Sequence, residues 1–478
     1  MPRLPIVHAL LKYKEEENSY FAMPGHKMGK AYEDTKEGKV LLDNFIKFDI
    51  TEVDGVDNLH HPTGIIKEGQ EQLANYYGSK KSYFLVNGST SGNMIMIFAT
   101  FKEGDKIIVE RNCHRSVFNS IILRKLKPIY VMNEVSKKYD APFSINKKHL
   151  FKVIKENQDA KGILLTYPNY YGICTDLEEI VKEAKKYNMK VLIDSAHGAH
   201  FGIVDKLPEN PLKLGCDMVV HSAHKTLPSL TQTSFLHVNC EELLEEVNFY
   251  TSVFLTTSPS YVFLASMDYS RYYLQQYGKK DYSTLITLCE KYRIKINDLG
   301  FYHIIDEYDI IGQNQSIKNR VYIDKTRYII NVPKGFSGHL LLDYLKENKI
   351  QCEMSDSRNV VLIFATSNTK DDFDKLYRVL KECNKDILKE QYVKPKEYDI
   401  PPIEKLPWET IDMKKIECRL ESSINKVCGQ AIVPYPPGVP LIMPGEIVTK
   451  DIIDIIGYYR DNKITLLGVK DDNLVIIK

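Results

Sequence analysis

The chain has 478 residues, which is too long for one compact core, so two or three domains are expected. Hydrophobic residues make up 43% of the chain and charged residues 27%, as is typical of a soluble globular protein. Lysine and arginine total 64 against 63 for aspartate and glutamate, so no net charge favours binding to nucleic acid or membrane, and neither partner is expected.

The cysteines and the N-terminus indicate the compartment. The nine cysteines are an odd number without a CxxC spacing, which argues against a disulfide framework and against a structural zinc module. Residues 1–20 contain no long apolar core with a cleavage site, and no run approaches the roughly 18 apolar residues of a membrane helix. We therefore expect a cytoplasmic protein.

Helical patterns and strand-like runs alternate between residues 67 and 225. Helical patterns occur at 67–78, 91–101, 114–125 and 176–188, and strand-like runs occur at 81–86, 104–110, 127–132, 161–168, 189–197 and 216–225. This alternation predicts an α/β fold with a mainly parallel sheet that helices cover on both faces. Because ligands bind at the carboxyl ends of such strands, the polar residues just after them are the first candidates for a site.

The pattern changes after about residue 300. Residues 327–368 read as strand, helix, strand and strand, which predicts a smaller α/β domain. From about residue 395 the chain is rich in proline, and 434–446 is too proline-dense for a helix, so we expect an ordered loop packed against another element. These changes predict an N-terminal arm, a large domain, a small α/β domain and a C-terminal segment, at 1–45, 46–300, 301–395 and 396–478.

The stretch NGSTSGN at 87–93 follows a strand and opens a helix. The hydroxyl residues Ser89, Thr90 and Ser91, together with the free N–H groups of a helix start, can bind an anion. Helix capping alone is the alternative, because serine and threonine are favoured at that position. Three hydroxyls in a row exceed what one cap requires, so the stretch favours phosphate binding. The chain has neither a Walker A nor a GxGxxG motif, which argues against a nucleotide-binding fold.

Asp194 ends the apolar run VLID at 191–194. A carboxylate at this position is unfavourable unless it meets a cation or hydrogen-bond donors, which fits a partner for a protonated ring nitrogen. A helix cap or a buried salt bridge is the alternative. His197 and His200 follow at three-residue spacing and raise the question of a metal. Because there is no HExxH motif and no third ligand in view, no metal is predicted.

Lys225 follows the apolar run CDMVV at 216–220, in the motif HSAHKT. The ordinary interpretation is a surface lysine. A lysine in a pocket at a strand end is desolvated instead, which lowers its pKa and frees the amine to form a Schiff base. A phosphate cradle, an acid for a pyridinium nitrogen and such a lysine are the groups that pyridoxal phosphate requires, so their occurrence together predicts this cofactor. We interpret His221, on the strand itself, as a buried packing histidine.

Longer stretches of the chain resemble the Orn/Lys/Arg decarboxylases, which have the aspartate-aminotransferase-like fold of pyridoxal-phosphate enzymes. Within this family, the stretches are most similar to those of the short arginine decarboxylases of the Bacillus type. The stretch YPNYYG at 167–172 differs from the family's usual loop, so no catalytic role is assigned to Asn169 or Tyr170. The resemblance covers almost the whole length and is carried by FAMPGHKMG (21–29), DITEVDGVDNLHHPTGIIKEGQEQLANYYG (49–78), NGSTSGN (87–93), RNCHRS (111–116), DSAHGAHFG (194–202), SAHKTLPSLTQTS (222–234), TTSPSY (256–261) and PYPPGVPLIMPGE (434–446).

This resemblance implies a role for each matching residue. Lys225 would form the Schiff base with pyridoxal phosphate, Asp194 would pair with the pyridine nitrogen, and His114 would stack on the ring. Without the resemblance, His114 reads equally well as a loop histidine. His197 would lie near the substrate-facing side of the cofactor, and 256–261 would reach a neighbouring subunit's site, which implies a homodimer or a higher homo-oligomer. The phosphate would be bound by Ser89, Thr90, Ser91, Ser222 and His224.

The reaction that the resemblance implies is decarboxylation of a basic amino acid, and the favoured form is arginine to agmatine and CO₂, in polyamine biosynthesis. Lysine or ornithine decarboxylation, to cadaverine or putrescine, stays open, as does an aminotransferase or lyase of the same fold. An aminotransferase would need a small-domain arginine for the substrate's carboxylate, and Arg358 is the candidate. A basic substrate needs an acid for its distal cation. Glu446 is the first candidate, and Asp49, Glu52 and Asp54 follow, although each could equally be a solvated acid or a helix cap.

Overall fold

A seven-stranded sheet forms the centre of the large domain in the computed structural model, which describes residues 4–311, 322–392, 396–435 and 440–478. The strands are β1 (Lys81–Leu85), β2 (Lys106–Glu110), β3 (Lys127–Val131), β4 (Gly162–Thr166), β5 (Lys190–Asp194), β6 (Met218–His221) and β7 (Ser234–Val238). Their spatial order is β1-β7-β6-β5-β4-β2-β3. Strand β7 is antiparallel to both neighbours, and the other adjacent strands are parallel. The predicted mainly parallel α/β sheet is confirmed.

The strands of this sheet are buried along almost their whole length, and every residue of β6 and β7 is buried. Because successive side chains of a strand point to opposite faces, continuous burial means that both faces of the sheet are covered. The helices of the large domain run over Ile65–Tyr77, Gly88–Thr100, Arg115–Leu123, Lys147–Glu156, Leu177–Lys185, Leu244–Phe254, Tyr261–Tyr273 and Lys279–Asn297.

Local signals in the sequence set the ends of these helices. Asp176 caps the helix Leu177–Lys185, because its carboxylate accepts the N–H of Glu179 at 3.4 Å. The helix Ile65–Tyr77 ends at Gly78, whose φ of 74° lies in the left-handed region that glycine adopts without strain. Both helices lie where the sequence pattern predicts them.

The small domain contains a four-stranded antiparallel sheet. In spatial order its strands are His303–Ile304, Arg327–Asn331, Asn359–Ile363 and Met354–Ser355, and its longer helices are Gly338–Glu347 and Lys370–Glu382. The N-terminal strand Ser19–Phe21 lies parallel to Ile350–Cys352. The N-terminal arm is therefore tied to the small domain, although it precedes the large domain in the chain.

The C-terminal segment folds around its own apolar cluster, which includes Ile442, Ile452 and Ile456. Its elements are a sheet of Lys415–Arg419, Asn473–Ile477 and Val469–Lys470, a strand pair of Val433–Tyr435 and Thr465–Leu467, and the helix Lys450–Asp461. The loop predicted at 434–446 begins within a strand, and its residues 436–439 lie outside the described residues. The domain boundaries stay a prediction.

The remaining elements are shorter or lie at the periphery. The helices are Pro5–Glu15, Lys30–Glu33, Lys36–Asn44, Phe45–Phe48, Ala223–Thr226, Glu241–Leu243, Leu274–Gly278, Glu307–Ile311, Lys385–Leu388, Pro407–Thr410 and Glu421–Ser423, and the strands are Asn133–Val135, Pro142–Ile145, Ile173–Cys174 and Tyr322–Ile323. Across the described residues, no helix combines the length and the apolar character that crossing a membrane requires.

Candidate active site

Two neighbouring parallel strands bring the predicted acid and lysine to one edge of the sheet. Asp194 is the last residue of β5, and it lies opposite Val220 of β6. Lys225 lies in the short helix Ala223–Thr226, directly after β6. Because the carboxyl ends of β5 and β6 are adjacent, both residues lie where an α/β sheet binds ligands.

Lys225 contacts His197, and Arg327 on the opposite side of the imidazole ring determines which nitrogen of His197 carries the proton. Its Nζ lies 3.0 Å from Nε2 of His197, and Nδ1 of His197 lies 3.3 Å from Nη2 of Arg327. A guanidinium can only donate, so Nδ1 accepts, and the neutral imidazole carries its proton on Nε2, which donates to the lysine amine. Burial, together with the charges of Lys225 and Arg327, keeps the pKa of His197 well below its usual value. His197 is therefore neutral near pH 7.

Desolvation lowers the pKa of Lys225, and the attraction of Asp194 opposes this shift. The nearby guanidinium of Arg327 lowers the pKa of Lys225 further. A lowered pKa increases the fraction of neutral amine, which is the form that attacks an aldehyde. The lowered pKa of Lys225 fits the Schiff-base role that the sequence predicts, and that role stays a prediction.

Asp194 is a buried carboxylate, 3% exposed, that neutral groups hold in place. Its Oδ2 accepts from Nδ2 of Asn93 at 2.8 Å, and its Oδ1 accepts from the N–H of Ala196 at 3.1 Å. Within the described ranges, no lysine, arginine or histidine side chain forms an ion pair with it. A buried carboxylate with only neutral donors is stabilised by an added cation, so this residue fits a protonated ring nitrogen.

The predicted phosphate residues lie around the start of the helix Gly88–Thr100. Ser222 donates from Oγ to Oγ of Ser89 at 2.8 Å, which joins the loop after β6 to this helix start. Ser91 is buried, and its hydroxyl donates to the carbonyl of the first helical residue at 2.8 Å, while Thr90 is exposed. Ser89 and Ser222 are therefore better placed than Ser91 to donate to a phosphate.

His114 and His224 lie near His197, since the charges of both act on it. His114 caps the helix Arg115–Leu123, and its exposed ring is available to stack on a cofactor. Nδ1 of His224 lies 2.8 Å from the carbonyl of Thr233 and so carries the proton of the neutral ring. Burial lowers the pKa of His224, although a bound anion would favour the protonated form, in which Nε2 can also donate.

Three residues that the sequence does not single out as functional complete the pocket. Arg327 begins a strand of the small domain and donates from Nη1 to the carbonyl of Tyr170 at 2.7 Å. The ring of Tyr170 packs edge-on against His197, with 4.9 Å between ring centres. The hydroxyl of Tyr170 donates to Glu353, whose other oxygen accepts the N–H of Met23 at 2.9 Å. These residues come from distant parts of the chain, so no local motif marks them.

The structure contradicts the expectation that Glu446 binds the substrate's cation. Its carboxylate, 1% exposed, forms a two-pronged ion pair with the guanidinium of Arg111, at 2.5 and 2.7 Å. It also accepts the N–H of Met443 at 2.7 Å. Glu446 already has its cation within the chain, so it fastens the C-terminal segment to the large domain.

The other residues considered in the sequence are also engaged elsewhere or exposed. Arg358 donates to Asp140 at 2.8 Å and to the carbonyl of Val332, so its guanidinium is already bonded. The small-domain arginine whose charge acts on Lys225 is Arg327. His221 is buried as predicted, and its Nδ1 also lies 3.1 Å from Nε2 of His237. Burial lowers the pKa of His221 to about 3. Exposed acids are found at Asp49, Glu52 and Asp54.

No group of three or more histidine, cysteine, aspartate or glutamate side chains in the described part of the chain is arranged to hold a metal ion. The chemistry of the donor set instead matches a cofactor with an aldehyde, a phosphate and a basic ring nitrogen. A lysine with a lowered pKa, paired hydroxyls at a helix start and a buried carboxylate without a cation fit these three groups.

Two family models match this chain. The Orn/Lys/Arg decarboxylase major domain matches residues 4–372, and the Orn/Lys/Arg decarboxylase C-terminal domain matches residues 385–465. The chain belongs to the Orn/Lys/Arg decarboxylase family. It is a pyridoxal-phosphate-dependent amino-acid decarboxylase, and its substrate is a basic amino acid.

The decarboxylase has relatives that match it over nearly the full length. It is 32% identical over 483 residues to an arginine decarboxylase of Bacillus anthracis, covering 99% of this chain and 96% of that protein. It is also 32% identical to the uncharacterized protein YaaO of Bacillus subtilis (strain 168), covering 99% and 98%. The solved constitutive lysine decarboxylase of E. coli superposes with a TM-score of 0.78 at 21% identity, covering 100% of this chain and 82% of that one. This superposition shows the shared fold.

Proposed function

We propose that this decarboxylase converts L-arginine and one proton to agmatine and CO₂. The observation that carries the proposal is Glu353, a half-buried carboxylate of the small domain. It accepts the hydroxyl of Tyr170, whose ring packs against His197 beside Lys225. A basic amino acid that reacts at Lys225 carries a second cation, and a carboxylate pairs best with a planar guanidinium. The near full-length similarity to an arginine decarboxylase supports the same substrate.

We assign the cofactor contacts to residues that the structure brings together. Lys225 would hold the cofactor aldehyde, and Ser89 and Ser222 would bind its phosphate. Asp194 would keep a proton on the ring nitrogen while Asn93 fixes the orientation of its carboxylate. The bound cofactor supplies a sink for the electron pair that remains when CO₂ leaves. His114 would cover one face of the ring.

The proton that replaces CO₂ at Cα is assigned to Lys225 and His197. The neutral amine accepts a hydrogen bond from Nε2 of His197, so the two groups form a short path on which a proton can be held at Nζ. Tyr170 and Arg327 pack around His197 and limit the access of water. A pocket that solvates the substrate's carboxylate poorly favours its loss.

Lysine or ornithine is the second candidate substrate, because an ammonium can also pair with Glu353. The geometry supports an aminotransferase less well. The arginine expected to bind the substrate's carboxylate in such an enzyme was Arg358, and its guanidinium is already bonded to Asp140 and to the carbonyl of Val332. A substrate comparison separates these possibilities.

We also propose that the decarboxylase acts in the cytoplasm, in polyamine biosynthesis, as a homodimer or higher homo-oligomer with shared sites. Large apolar side chains are exposed at several positions of residues 40–65, and a second subunit packed against them would remove this apolar surface from water. The resemblance implies that 256–261 reach a neighbouring subunit's site, which supports the proposal. The exposed side chains are Val40 (52%), Ile46 (89%), Val53 (52%) and Ile65 (58%).

Substitution of Glu353→Gln tests the cation site. An amide retains the shape of the side chain but loses its charge, so the KM for arginine is expected to rise about tenfold or more, with a smaller change in kcat. The matched control is Glu347→Gln, at an exposed glutamate of the same domain, which should leave KM unchanged. Steady-state kinetics with arginine, lysine and ornithine provide the measurement. An unchanged KM for arginine in Glu353→Gln would remove the basis for this assignment.

A further inference from the structure

Lys27 is a buried lysine, 1% exposed, that the reaction described above does not use. Its Nζ donates to the carbonyl of Ala22 at 2.5 Å and to the carbonyl of Ile363 at 2.8 Å. Ile363 ends a strand of the small domain, so this side chain ties the N-terminal arm to that domain. Burial lowers the pKa of Lys27 to about 7, and its two carbonyl acceptors match the two N–H groups of a neutral amine.

The residues around Lys27 contact both sides of the site. In the bridging segment, defined as residues 22–29, the N–H of Gly25 donates to the carbonyl of His224 at 2.8 Å, directly before Lys225. A Cβ on Gly25 would lie 2.5 Å from the carbonyl oxygen of Leu227, so only glycine fits here. Two residues earlier, the N–H of Met23 donates to Glu353. One short segment therefore lies between the cofactor lysine and the proposed cation site.

The backbone of the bridging segment is strained at its end. Lys27, Met28 and Gly29 have φ values of 47°, 57° and 95°, which places three successive residues in the left-handed region. Two of them have side chains, for which this conformation is unfavourable, so surrounding contacts must hold the turn. The two hydrogen bonds of Lys27, one to Ala22 within the segment and one to Ile363 outside it, are contacts of this kind.

We propose that Lys27 is a positioning residue for substrate specificity, which acts through Glu353. By anchoring the bridging segment to the small domain, Lys27 keeps the N–H of Met23 on Glu353 and keeps Gly25 against the loop of Lys225. Lys27 thereby sets the distance between Lys225 and Glu353, which the side chain of a basic substrate must span. This inference rests on the role of Glu353 proposed above.

The test compares Lys27→Met with a matched control in the holoenzyme. Methionine retains the length and apolar stem of lysine but has no donor. Lys385 also donates to two carbonyls, those of Leu380 and Cys383, but within one turn of the small domain, so Lys385→Met is the control. The probes are L-arginine as substrate and L-norleucine as competitive inhibitor, because norleucine has no distal cation to reach Glu353.

In Lys27→Met the KM for arginine is expected to rise about tenfold, because small displacements of a positioning group have large effects. The inhibition constant of norleucine should change less than about twofold. Lys385→Met should change neither. An equal rise for arginine and norleucine would show general structural damage, and no rise would show no role; either result overturns the proposal.

Two further variants keep the test decisive. If Lys27→Met does not fold, Lys27→Gln is measured with the same two probes. Its amide nitrogen is one bond closer to the backbone than Nζ and cannot replace both hydrogen bonds, so the KM for arginine should rise by more than the inhibition constant of norleucine. Equal changes for the two probes, or no change, overturn the proposal. In the double variant Lys27→Met/Glu353→Gln the KM for arginine should be no higher than in Glu353→Gln alone, because Lys27 acts through that carboxylate. Additive effects overturn the inference about Lys27. Normal arginine kinetics in Glu353→Gln alone would instead contradict the proposed cation site.

Discussion

The Lys225→Ala protein is expected to lack the Schiff-base absorbance band and to be almost inactive. Without Nζ the cofactor aldehyde has no covalent partner, so the absorbance band at about 420 nm should disappear. The same change removes the amine that contacts Nε2 of His197 and that we assign to the proton at Cα. Decarboxylation of arginine should therefore fall at least about a thousandfold. The two readouts are the absorbance spectrum, recorded after incubation with pyridoxal phosphate and removal of the unbound cofactor, and CO₂ release with the cofactor present.

An exposed lysine provides the control for this substitution. Lys80 pairs with Glu241 at the surface, so Lys80→Ala should retain both the absorbance band and the activity. The far-ultraviolet circular dichroism of Lys225→Ala should match the wild type, because Lys225 has no ion pair in the described structure whose loss would unfold the chain. Retention of the band, or of more than about a tenth of the activity, would show that another residue holds the cofactor.

The Glu446→Ala protein is expected to be less stable by about 3–5 kcal/mol, the usual effect of removing one partner of a buried ion pair. Arg111 is fully buried, and without Glu446 its charge would keep, among the residues that the structure describes, only the carbonyls of Pro440 and Leu441 as acceptors. Those carbonyls lie in the same stretch of chain as Glu446, and this stretch would lose its ion pair to Arg111 in the variant. Urea unfolding of the holoenzyme measures the change.

Two comparisons show whether burial is the cause. Glu241→Ala breaks the exposed pair with Lys80, and its effect should stay below about 1 kcal/mol. The double variant Arg111→Met/Glu446→Leu replaces the buried pair with apolar groups and should regain much of the lost stability. If Glu446→Ala were no more destabilising than Glu241→Ala, Glu446 would not fasten the C-terminal segment.

The sequence predicted the large sheet well because its signals are local. The apolar run of β5 ends at Asp194, and a continuous apolar run indicates a strand that is buried on both faces. The antiparallel strand β7 and the helix Lys450–Asp461 were not predicted. Strand direction depends on long-range pairing, in this case between Ser234–Val238 and its two neighbours, and no short window of sequence contains that information.

The part of the site that follows strands directly could be predicted, because its signals are also local in the sequence. Asp194 and Lys225 each follow a strand directly, so the parallel-sheet rule could locate them. Arg327 and Glu353 approach Lys225 only because the small domain packs against the large one, and neither lies in a distinctive motif. Glu446 was misassigned because a motif shows that an acid is present, whereas only the fold shows that Arg111 already neutralises it.

Analysis of the products from arginine tests the central claim most directly. Purified holoenzyme is incubated with L-arginine, and CO₂, agmatine and keto acid are quantified together. The account predicts equal amounts of agmatine and CO₂ without keto acid, and a higher kcat/KM for arginine than for lysine or ornithine. Keto acid without CO₂ would contradict it, because that result would identify an aminotransferase.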